Sequence, residues 1–483
     1  MLSRRHLIAA GIVSAGLGSS VHARKLAQLD NVLAPFPANF AFGAATSAYQ
    51  IEGAVDEDGR GASSWDRFCA EPGRVKGGAS GAVADDHYHR FGDDVALMKA
   101  LGLTHYRFSI AWPRIVPTGS GASNPKGLDF YDRLIDALLA AGIKPVATLF
   151  HWDTPAPLED AGGWMVRDTA LRFADYAALV GKRYADRVAM WMPLNEPLSL
   201  TSMGYMLGLH APGKQLGMAA LAAAHHQLLA HGLGVGALRA AGASAIGIAN
   251  VHAPTWPASA ASADVDAAKI YDDLVNWTFA DPLLAGTYPA GVAELMPVQA
   301  DDLKIIAAPL DWYGVNYYNP TRVGAPDGRA AIIDGAAIAA QPLFSIQDIA
   351  GYPQTDFGWP VIPAGLEEIL TQLQARYGAK LPPIYITENG CSYNDGPGAD
   401  GRVRDARRVE YVSSHLGALQ AAMGRGIDVR GYFAWSLMDN FEWAAGYDQR
   451  FGLIHVDYET LQRTPKDSFH WYRALIQKNR AAR

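Results

Sequence analysis

Short runs of consecutive apolar residues recur along the chain, and longer stretches with helical spacing of apolar positions separate them. Eight of these runs predict strands that are buried on both faces, because such strands show no polar alternation. The predicted strands are 40–43, 104–110, 144–150, 190–196, 246–251, 312–318, 383–388 and 431–437. Apolar positions with helical spacing predict helices at 89–101, 130–140, 171–184, 221–240, 366–377 and 407–423.

The regular alternation of strand and helix predicts one closed parallel barrel, an α/β fold of the (β/α)8 type, rather than several domains. Barrels of this type can exceed 400 residues when their loops are long, so the length of 483 residues fits one domain. The Gly-, Ala- and Pro-rich stretch 321–358 predicts a long loop over the barrel mouth. We therefore assign residues 24–483 to a single (β/α)8 TIM barrel with long βα loops.

The first 23 residues have the features of an export signal. Arg4 and Arg5 precede an apolar run at 7–18, and the small residues at 21–23 fit a cleavage site. Paired arginines in this position are typical of twin-arginine signals, and the apolar run is too short to span a membrane. We therefore predict that the mature protein reaches the periplasm or is secreted, without membrane contact after removal of the signal.

Composition narrows the range of partners. The formal net charge of -7 lacks the basic footprint of a nucleic-acid-binding protein. The hydrophobic fraction of 49% suits a large globular core. Two cysteines, Cys69 and Cys391, do not make a disulfide framework, and the sequence leaves open whether they are bonded to each other. It also leaves the oligomeric state open.

Two predicted strands end on a glutamate and stop directly afterwards. Glu196 is followed by Pro197, and Glu388 is followed by Asn389 and Gly390, which are residues that interrupt strands. Active sites of (β/α)8 barrels lie at the carboxyl ends of the strands. Two carboxylates there match glycoside hydrolysis, which needs a proton donor and a nucleophile or base. One such glutamate alone is more often an ordinary solvated residue, so the interpretation depends on its neighbours.

Amide, imidazole, carboxylate and aromatic side chains accompany the two glutamates at the predicted strand ends. They are Gln50, His151, Asn195, Asn316, Tyr318, Trp435, Glu442 and Trp443. A polyhydroxylated ring binds to hydrogen-bonding groups at its edge and to an aromatic surface at its face. Any one of these residues alone has a structural explanation, such as core packing for Trp435. Their convergence at strand ends favours a sugar-binding cleft.

The longer motifs that contain these residues resemble glycoside hydrolase family one, the β-glucosidase family. The resemblance covers nearly all of the chain after the predicted signal. Its motifs are FGAATSAYQIEG at 42–53, DHYHR at 86–90, RFSIAWPR at 107–114, HWDTP at 151–155, NEP at 195–197, TENG at 387–390 and WSLMDNFEW at 435–443. Met438 and Cys391 depart from the usual pattern, and neither belongs to the expected site.

The resemblance implies a retaining β-glucosidase with Glu196 as acid/base and Glu388 as nucleophile. Such an enzyme releases terminal β-D-glucosyl residues from β-glucosides or cello-oligosaccharides through a covalent glycosyl-enzyme, without a cofactor. The resemblance also implies roles for the surrounding residues. Gln50, His151, Asn195, Glu442 and Trp443 would hold the glycone above Trp435, Trp359 would line the aglycone side, and Arg107, Asn316 and Tyr318 would sit beside the carboxylates.

Other functions remain in view at the level of sequence. A β-galactosidase, a β-fucosidase or a transglycosidase would carry the same two glutamates. A sugar-binding protein without catalysis would be expected to lack one of them, and both are present. His87 and His89, with Asp85 and Asp86, suggest a metal cluster if they lie on a strand. No third ligand at metal spacing is evident, so we expect no metal site.

Overall fold

Eight parallel strands form a nearly closed barrel in the computed structural model, which describes residues 33–333 and 335–482. The strands are β1 Ala41–Ala45, β2 His105–Ser109, β3 Lys144–Phe150, β4 Met190–Leu194, β5 Ala249–Val251, β6 Tyr313–Asn316, β7 Ile384–Asn389 and β8 Val429–Trp435. Their order is β4-β3-β2-β1-β8-β7-β6-β5. The predicted (β/α)8 barrel is confirmed, while the predicted signal at 1–23 lies outside the described residues.

The barrel closes between β4 and β5 through isolated contacts rather than a full ladder. Single parallel bridges join Trp191 to Ile246 and Asn195 to Ala249. The prediction of a strand over 246–251 was therefore too long at its start. The Asp311 carboxylate accepts a hydrogen bond from the backbone N–H of Ile246 at 2.8 Å. This bond faces the chain before β6, whereas Ala245 and Gly247, on either side of Ile246, bond to Trp191 of β4.

Eight helices of 11 or more residues, within the part of the chain that the structure describes, surround or cap the barrel. They are α1 His87–Leu101, α2 Pro125–Ala140, α3 Arg167–Tyr184, α4 Leu221–Ala240, α5 Ser262–Asp272, α6 Pro363–Tyr377, α7 Ala406–Gly424 and α8 Asp467–Ala481. In α2 the buried residues Phe130, Leu134 and Leu138 recur every four positions, which forms the apolar stripe that faces the strands. Among the residues that the structure describes, no helix is long and apolar enough to cross a membrane.

The stretch 321–358 is not the long loop that its composition predicts. Thr321–Gly324 pairs antiparallel with Ser345–Gln347 and parallel with Thr255–Pro257. Ala331–Ile333 pairs with Ala336–Ile338. These strands have only three or four residues, too few to show the alternation that identifies a strand. The stretch does lie at the barrel mouth, where several of its residues line the large cleft.

An apolar cluster fills the barrel beneath that cleft. Met190 and Met192 of β4, and Phe433 and Trp435 of β8, belong to it together with Val146. Alternate residues of a strand face the same side, so these pairs point into the barrel. The site therefore rests on a packed apolar floor. Cys69, which is half-buried, and Cys391, which is buried, are both free thiols.

Candidate active site

Glu196 and Glu388 face one cleft of about 880 Å³ at the carboxyl ends of the strands. Glu388 lies within β7, and Asn389 extends the strand one residue further. Glu196 lies two residues beyond β4, with a backbone φ of 43° in the left-handed region. Its N–H donates to the carbonyl of Ala249 at 2.8 Å, which fixes that bend. Both glutamates are buried.

Gly390 permits the close approach of β7 and β8 directly after Glu388. A Cβ at this position would lie 1.7 Å from the carbonyl oxygen of Trp435, so no other residue fits without movement of the backbone. The motif Asn389-Gly390 therefore has a packing cause as well as the role of ending the strand. The same contact holds the end of β7 against Trp435 at the base of the cleft.

Both carboxylate oxygens of Glu388 accept hydrogen bonds. Arg107 donates from Nη1 to Glu388 Oε1 at 2.5 Å, and the phenol of Tyr318 donates to Glu388 Oε2 at 2.7 Å. Burial and the charge of Glu388 raise the pKa of Tyr318 well above its usual value, so the phenol keeps its proton. Glu388 thus has one positive and one neutral hydrogen-bond donor, one on each carboxylate oxygen.

The environment of Glu196 favours its protonated form. Burial, and secondly the negative charge of Glu388, raise the pKa of Glu196 to about 7. Ser199 Oγ donates to Glu196 Oε2 at 2.7 Å, and Asn316 Nδ2 donates to Glu196 Oε1 at 2.6 Å. These two hydrogen bonds lower the pKa and limit the rise. The two glutamates thus differ in environment, as an acid and a nucleophile must.

A chain of amides connects the two glutamates. Thr387 Oγ1 donates to Asn316 Oδ1 at 2.6 Å, which orients the Asn316 amide so that its Nδ2 faces Glu196. Arg107 Nη2 donates to Asn195 Oδ1 at 2.5 Å. The Asn195 amide group is thereby turned so that Nδ2 donates to Nε2 of His151 at 3.1 Å. Each polar group in this layer therefore has a fixed orientation before any ligand binds.

His151 presents an unused ring nitrogen beneath the cleft. Its Nε2 accepts from Asn195, so its Nδ1 carries the proton. That Nδ1 is buried and has no hydrogen-bond partner among the described residues. Burial, with a smaller contribution from Arg107, holds the pKa of His151 well below its usual value. A neutral donor of this kind suits a ligand hydroxyl.

Gln50 connects β1 to the last loop of the site. Its Nε2 donates to Asn440 Oδ1 at 3.1 Å, to the carbonyl of Phe441 at 2.9 Å and to Glu442 Oε2 at 3.5 Å. Ser47 Oγ donates to Gln50 Oε1 at 2.6 Å. Gln50 and Glu442 are therefore adjacent, as a site for neighbouring ring hydroxyls requires.

Aromatic rings form two walls of the cleft. Trp435 stacks near His151, with ring centroids 5.9 Å apart and 15° between planes. Trp443 contacts Trp152, with centroids 4.8 Å apart. On the other side Trp359 lies against Tyr318, with centroids 5.2 Å apart. A flat ligand therefore meets an aromatic face below and further rings at its edges.

The structure brings together all twelve residues that the sequence singled out. Eight line the cleft, namely His151, Glu196, Tyr318, Trp359, Glu388, Trp435, Glu442 and Trp443. Gln50, Arg107, Asn195 and Asn316 lie directly behind them and hold them through the hydrogen bonds given above. The sequence motifs include Thr387 and Asn440 without assigning them a role, and Ser199 was missed. Ser199 could have been found, because the turn after Pro197 places residue 199 beside residue 196.

The residues considered for a metal cluster lie elsewhere, with separate partners. His87 and His89 begin α1 rather than lie on a strand, so their side chains diverge. His87 Nδ1 is 2.7 Å from Asp94 Oδ2, and His89 Nδ1 is 2.6 Å from Asp86 Oδ1. Within residues 33–333 and 335–482, no group of three or more acidic, His or Cys residues is arranged to hold a metal ion.

The sequence profile of Glycosyl hydrolase family 1 matches residues 32–481. The chain belongs to glycosyl hydrolase family 1. The resemblance of its motifs is thereby confirmed along almost the whole chain, and the protein is an O-glycosyl hydrolase that acts on small-molecule glycosides.

Relatives of this family 1 enzyme match it along nearly their full length. A β-glucosidase from an Agrobacterium species is 47% identical over 453 residues, which cover 92% of this chain and 96% of the relative. A bifunctional β-D-glucosidase/β-D-fucosidase from Bifidobacterium breve is 44% identical to this chain, and the aligned region covers 92% of this chain and 99% of the relative. The crystal structure of a psychrophilic β-glucosidase from Micrococcus antarcticus superposes with a TM-score of 0.88 at 44% identity, covering 92% of this chain and 98% of that one.

Proposed function

We propose that this family 1 enzyme is a retaining β-glucosidase in which Glu196 is the acid/base and Glu388 the nucleophile. The observation that carries the proposal is the contrast between the two glutamates. Glu388 accepts hydrogen bonds from Arg107 and Tyr318, whereas burial and the nearby charge of Glu388 raise the pKa of Glu196 to about 7. The β-glucosidases among its relatives support glucose as the glycone.

In the first step, the Glu388 carboxylate attacks the anomeric carbon while Glu196 gives its proton to the departing glycosidic oxygen. This attack forms a covalent ester with the sugar and releases the aglycone as an alcohol. The negative charge of Glu388 disappears when the ester forms. That charge helps to raise the pKa of Glu196, so its loss lowers the pKa of Glu196. Glu196 then becomes a stronger acid and loses its proton more readily.

In the second step, Glu196 acts as a base. It takes a proton from water, and the resulting oxygen attacks the anomeric carbon and releases Glu388. Two displacements restore the β configuration, provided the two carboxyl groups stand roughly 5–5.5 Å apart. Asn195, which Arg107 orients, lies beside the glutamates where it can bind the sugar 2-hydroxyl. Hydrogen bonds at that position strengthen in the transition state.

Opposite anomers from two variants test these roles. In Glu388→Gly, azide can fill the space of the missing carboxylate and attack from its side, so the product should be an α-glycosyl azide. In Glu196→Gly, a substrate with a good leaving group should still form the ester, and azide should then attack it to give the β-product. NMR of the products distinguishes the two. The same anomer from both variants, or an inverted sugar from the wild type, would refute the assignment.

The narrower choice of glycone and aglycone is part of the proposal. We assign glucosides as the main substrates, with cello-oligosaccharides among them, and this would place the enzyme at the last stage of cellulose degradation. The relative with β-D-fucosidase activity makes β-fucosides the second candidate. A panel of 4-nitrophenyl β-glucoside, β-galactoside and β-fucoside, together with cellobiose, compares these substrates directly. A higher kcat/KM for the galactoside or fucoside would overturn the preference for glucose.

The proposed place of action is the periplasm, reached by the twin-arginine route. Arg4 and Arg5 before a weakly apolar run support export of the folded enzyme. Removal of residues 1–23 would leave the whole family match at 32–481 intact.

A further inference from the structure

The cleft continues beyond the two glutamates into a region with apolar walls. We call this region the apolar arm and define it by Met203, Met206, Leu207, Leu274, Val275 and Ile346, all of which line the cleft. They come from three separate parts of the chain, namely the segment after β4, the helical segment after α5 and the insertion after β6. Most of them are only half-buried. Their apolar surfaces therefore face the space of the cleft rather than the core alone.

The arm begins at the proposed proton donor. Glu196 is followed by the helical turn Pro197–Ser199 and then by the π-helical segment Leu200–Met206. Ser199 contacts Glu196, and Ser202, Met203 and Met206 of the same segment line the cleft. The leaving group must place its oxygen against Glu196 to receive the proton. The leaving group, rather than the glycone, is therefore the part of the substrate that enters the arm.

Few charged groups lie in the wall of the arm. Besides the three glutamates of the sugar site, the charged side chains among the described lining residues are Arg322 and Asp348. Arg322 already donates to the carbonyl of Ala258 at 2.6 Å. His210 and His252 also line the cleft, and burial lowers the pKa of each to about 4, so both are neutral near pH 7.

Apolar side chains also stand exposed at the outer rim of the cleft. Ile332 is 67% exposed and Leu343 is 41% exposed, and both line it. Single exposed apolar residues are common on protein surfaces. Here they line the same cleft as the reacting centre and the apolar arm, and a mostly apolar concavity with a few polar groups is the usual form of a small-molecule site.

We propose that the apolar arm selects substrates whose aglycone is an extended apolar group, such as an alkyl chain, over substrates whose leaving group is a second sugar. This inference rests on the proposed β-glucosidase activity and narrows its substrate class. An apolar chain gains by leaving water for the arm. The hydroxyls of a sugar would lose hydrogen bonds to water against the six side chains of the arm, which carry no N–H or O–H donor, and only neighbouring side chains such as Asn276, Gln341 and Gln347 could replace those bonds.

The chain-length dependence of hydrolysis tests the proposal. Alkyl β-glucosides from ethyl to octyl, used below their micelle concentrations, release alcohols of nearly equal acidity, so differences in kcat/KM report on binding. We expect kcat/KM to rise about two- to fourfold for each added methylene until the arm is filled. Octyl β-glucoside should also exceed both cellobiose and 3,6-dioxaoctyl β-glucoside, which has the same chain length with two ether oxygens.

Failure of this inference can be told apart from failure of the proposed function. If the enzyme hydrolyses ethyl β-glucoside and cellobiose but shows no increase with chain length, the apolar arm does not select the aglycone. A cellobiose kcat/KM above that for octyl β-glucoside would overturn the inference in the same way. If no β-glucoside is hydrolysed at all, the β-glucosidase proposal itself is wrong.

A matched pair of variants locates the effect. Leu343→Ser removes an apolar side chain from the rim of the arm, and Leu295→Ser removes one that is 52% exposed elsewhere on the surface. Leu343→Ser should lower the ratio of kcat/KM for octyl β-glucoside to kcat/KM for ethyl β-glucoside about threefold. This change corresponds to the loss of roughly one buried methylene or slightly less. Leu295→Ser should leave that ratio unchanged. Equal ratios of octyl to ethyl kcat/KM in both variants would show that the rim is not part of the proposed binding surface.

Discussion

Ser199 donates a hydrogen bond to the carboxyl group of Glu196, with 2.7 Å between Ser199 Oγ and Glu196 Oε2. The bond favours the charged carboxylate and so lowers the pKa of Glu196 against the effect of burial. We therefore predict that Ser199→Ala raises the pKa of Glu196 above about 7. The alkaline limb of the kcat/KM profile should move to higher pH, because the enzyme needs Glu196 protonated for the first step.

Ser202→Ala is the control for this measurement. Ser202 lies three residues after Ser199, and it also lines the cleft. Both variants remove one hydroxyl, so a shared effect would point to solvation of the cleft rather than to the Ser199 bond. An alkaline limb that stays in place or moves to lower pH in Ser199→Ala would contradict the prediction.

The raised pKa of Glu196 also makes a prediction about stability. Between its ordinary value of 4.5 and about 7, the folded protein holds a proton at Glu196 that the unfolded chain has released. The free energy of unfolding therefore falls as pH rises through this range. Glu196→Gln removes the group that titrates, so it should stabilise the protein by about 1–3 kcal/mol at pH 8.

Urea unfolding at pH 5 and pH 8 measures this difference. The gain in Glu196→Gln relative to the wild type should be larger at pH 8 than at pH 5. Glu459→Gln, at an exposed position, is the matched control and should show no such pH dependence. A constant difference between Glu196→Gln and the wild type at both pH values would count against the linkage.

The contact between Gln50 and Glu442 predicts rejection of phosphorylated sugars. Gln50 Nε2 lies 3.5 Å from Glu442 Oε2, so the end of the glycone pocket carries a carboxylate. A carboxylate binds sugar hydroxyls well but repels a phosphate, and apposed like charges cost several kcal/mol. We expect kcat/KM for a β-glucoside to exceed that for its 6-phosphate by at least about 100-fold. Preference for the 6-phosphate would show that Glu442 does not face the glycone.

Export provides a separate prediction. Replacement of Arg4 and Arg5 by Lys should keep the positive charge but remove the paired arginines that the twin-arginine route reads. Activity should then remain in the cytoplasmic fraction instead of the periplasm. The wild type expressed alongside it sets the normal distribution. Unchanged delivery of the Lys variant to the periplasm would exclude this route.

The sequence predicts the barrel and its site well because both depend on short-range patterns. Buried strands need continuous apolar runs, and the run at 144–150 coincides with β3. Most site residues follow a strand end, as Asn195 and Glu196 do, so predicting the strands also places them, whereas Trp359 follows no strand end and was placed only by the family resemblance. Less of the hydrogen bonding could be predicted, because the partner of Asn316 is Thr387, 71 positions away, and no local pattern signals that contact.

Two predictions differ from the structure for identifiable physical reasons. The strand predicted over 246–251 begins only at Ala249, because the backbone N–H of Ile246 donates to the Asp311 side chain. The stretch 321–358 contains strands of three or four residues, and pairing with Thr255–Pro257 holds one of them in place. That pairing joins segments more than 60 positions apart, beyond the reach of composition or periodicity.

The seam between β4 and β5 affects how the enzyme loses activity on heating. Glu196 stands on this seam, where its N–H donates to the Ala249 carbonyl and where isolated bridges replace a ladder. Local opening needs fewer broken hydrogen bonds there than at the β2–β3 ladder. Such an opening would move Glu196 away from Glu388 while the remaining strands stay paired. Heat should therefore inactivate the enzyme before the barrel melts, and amide exchange should be fastest along this one edge of the barrel.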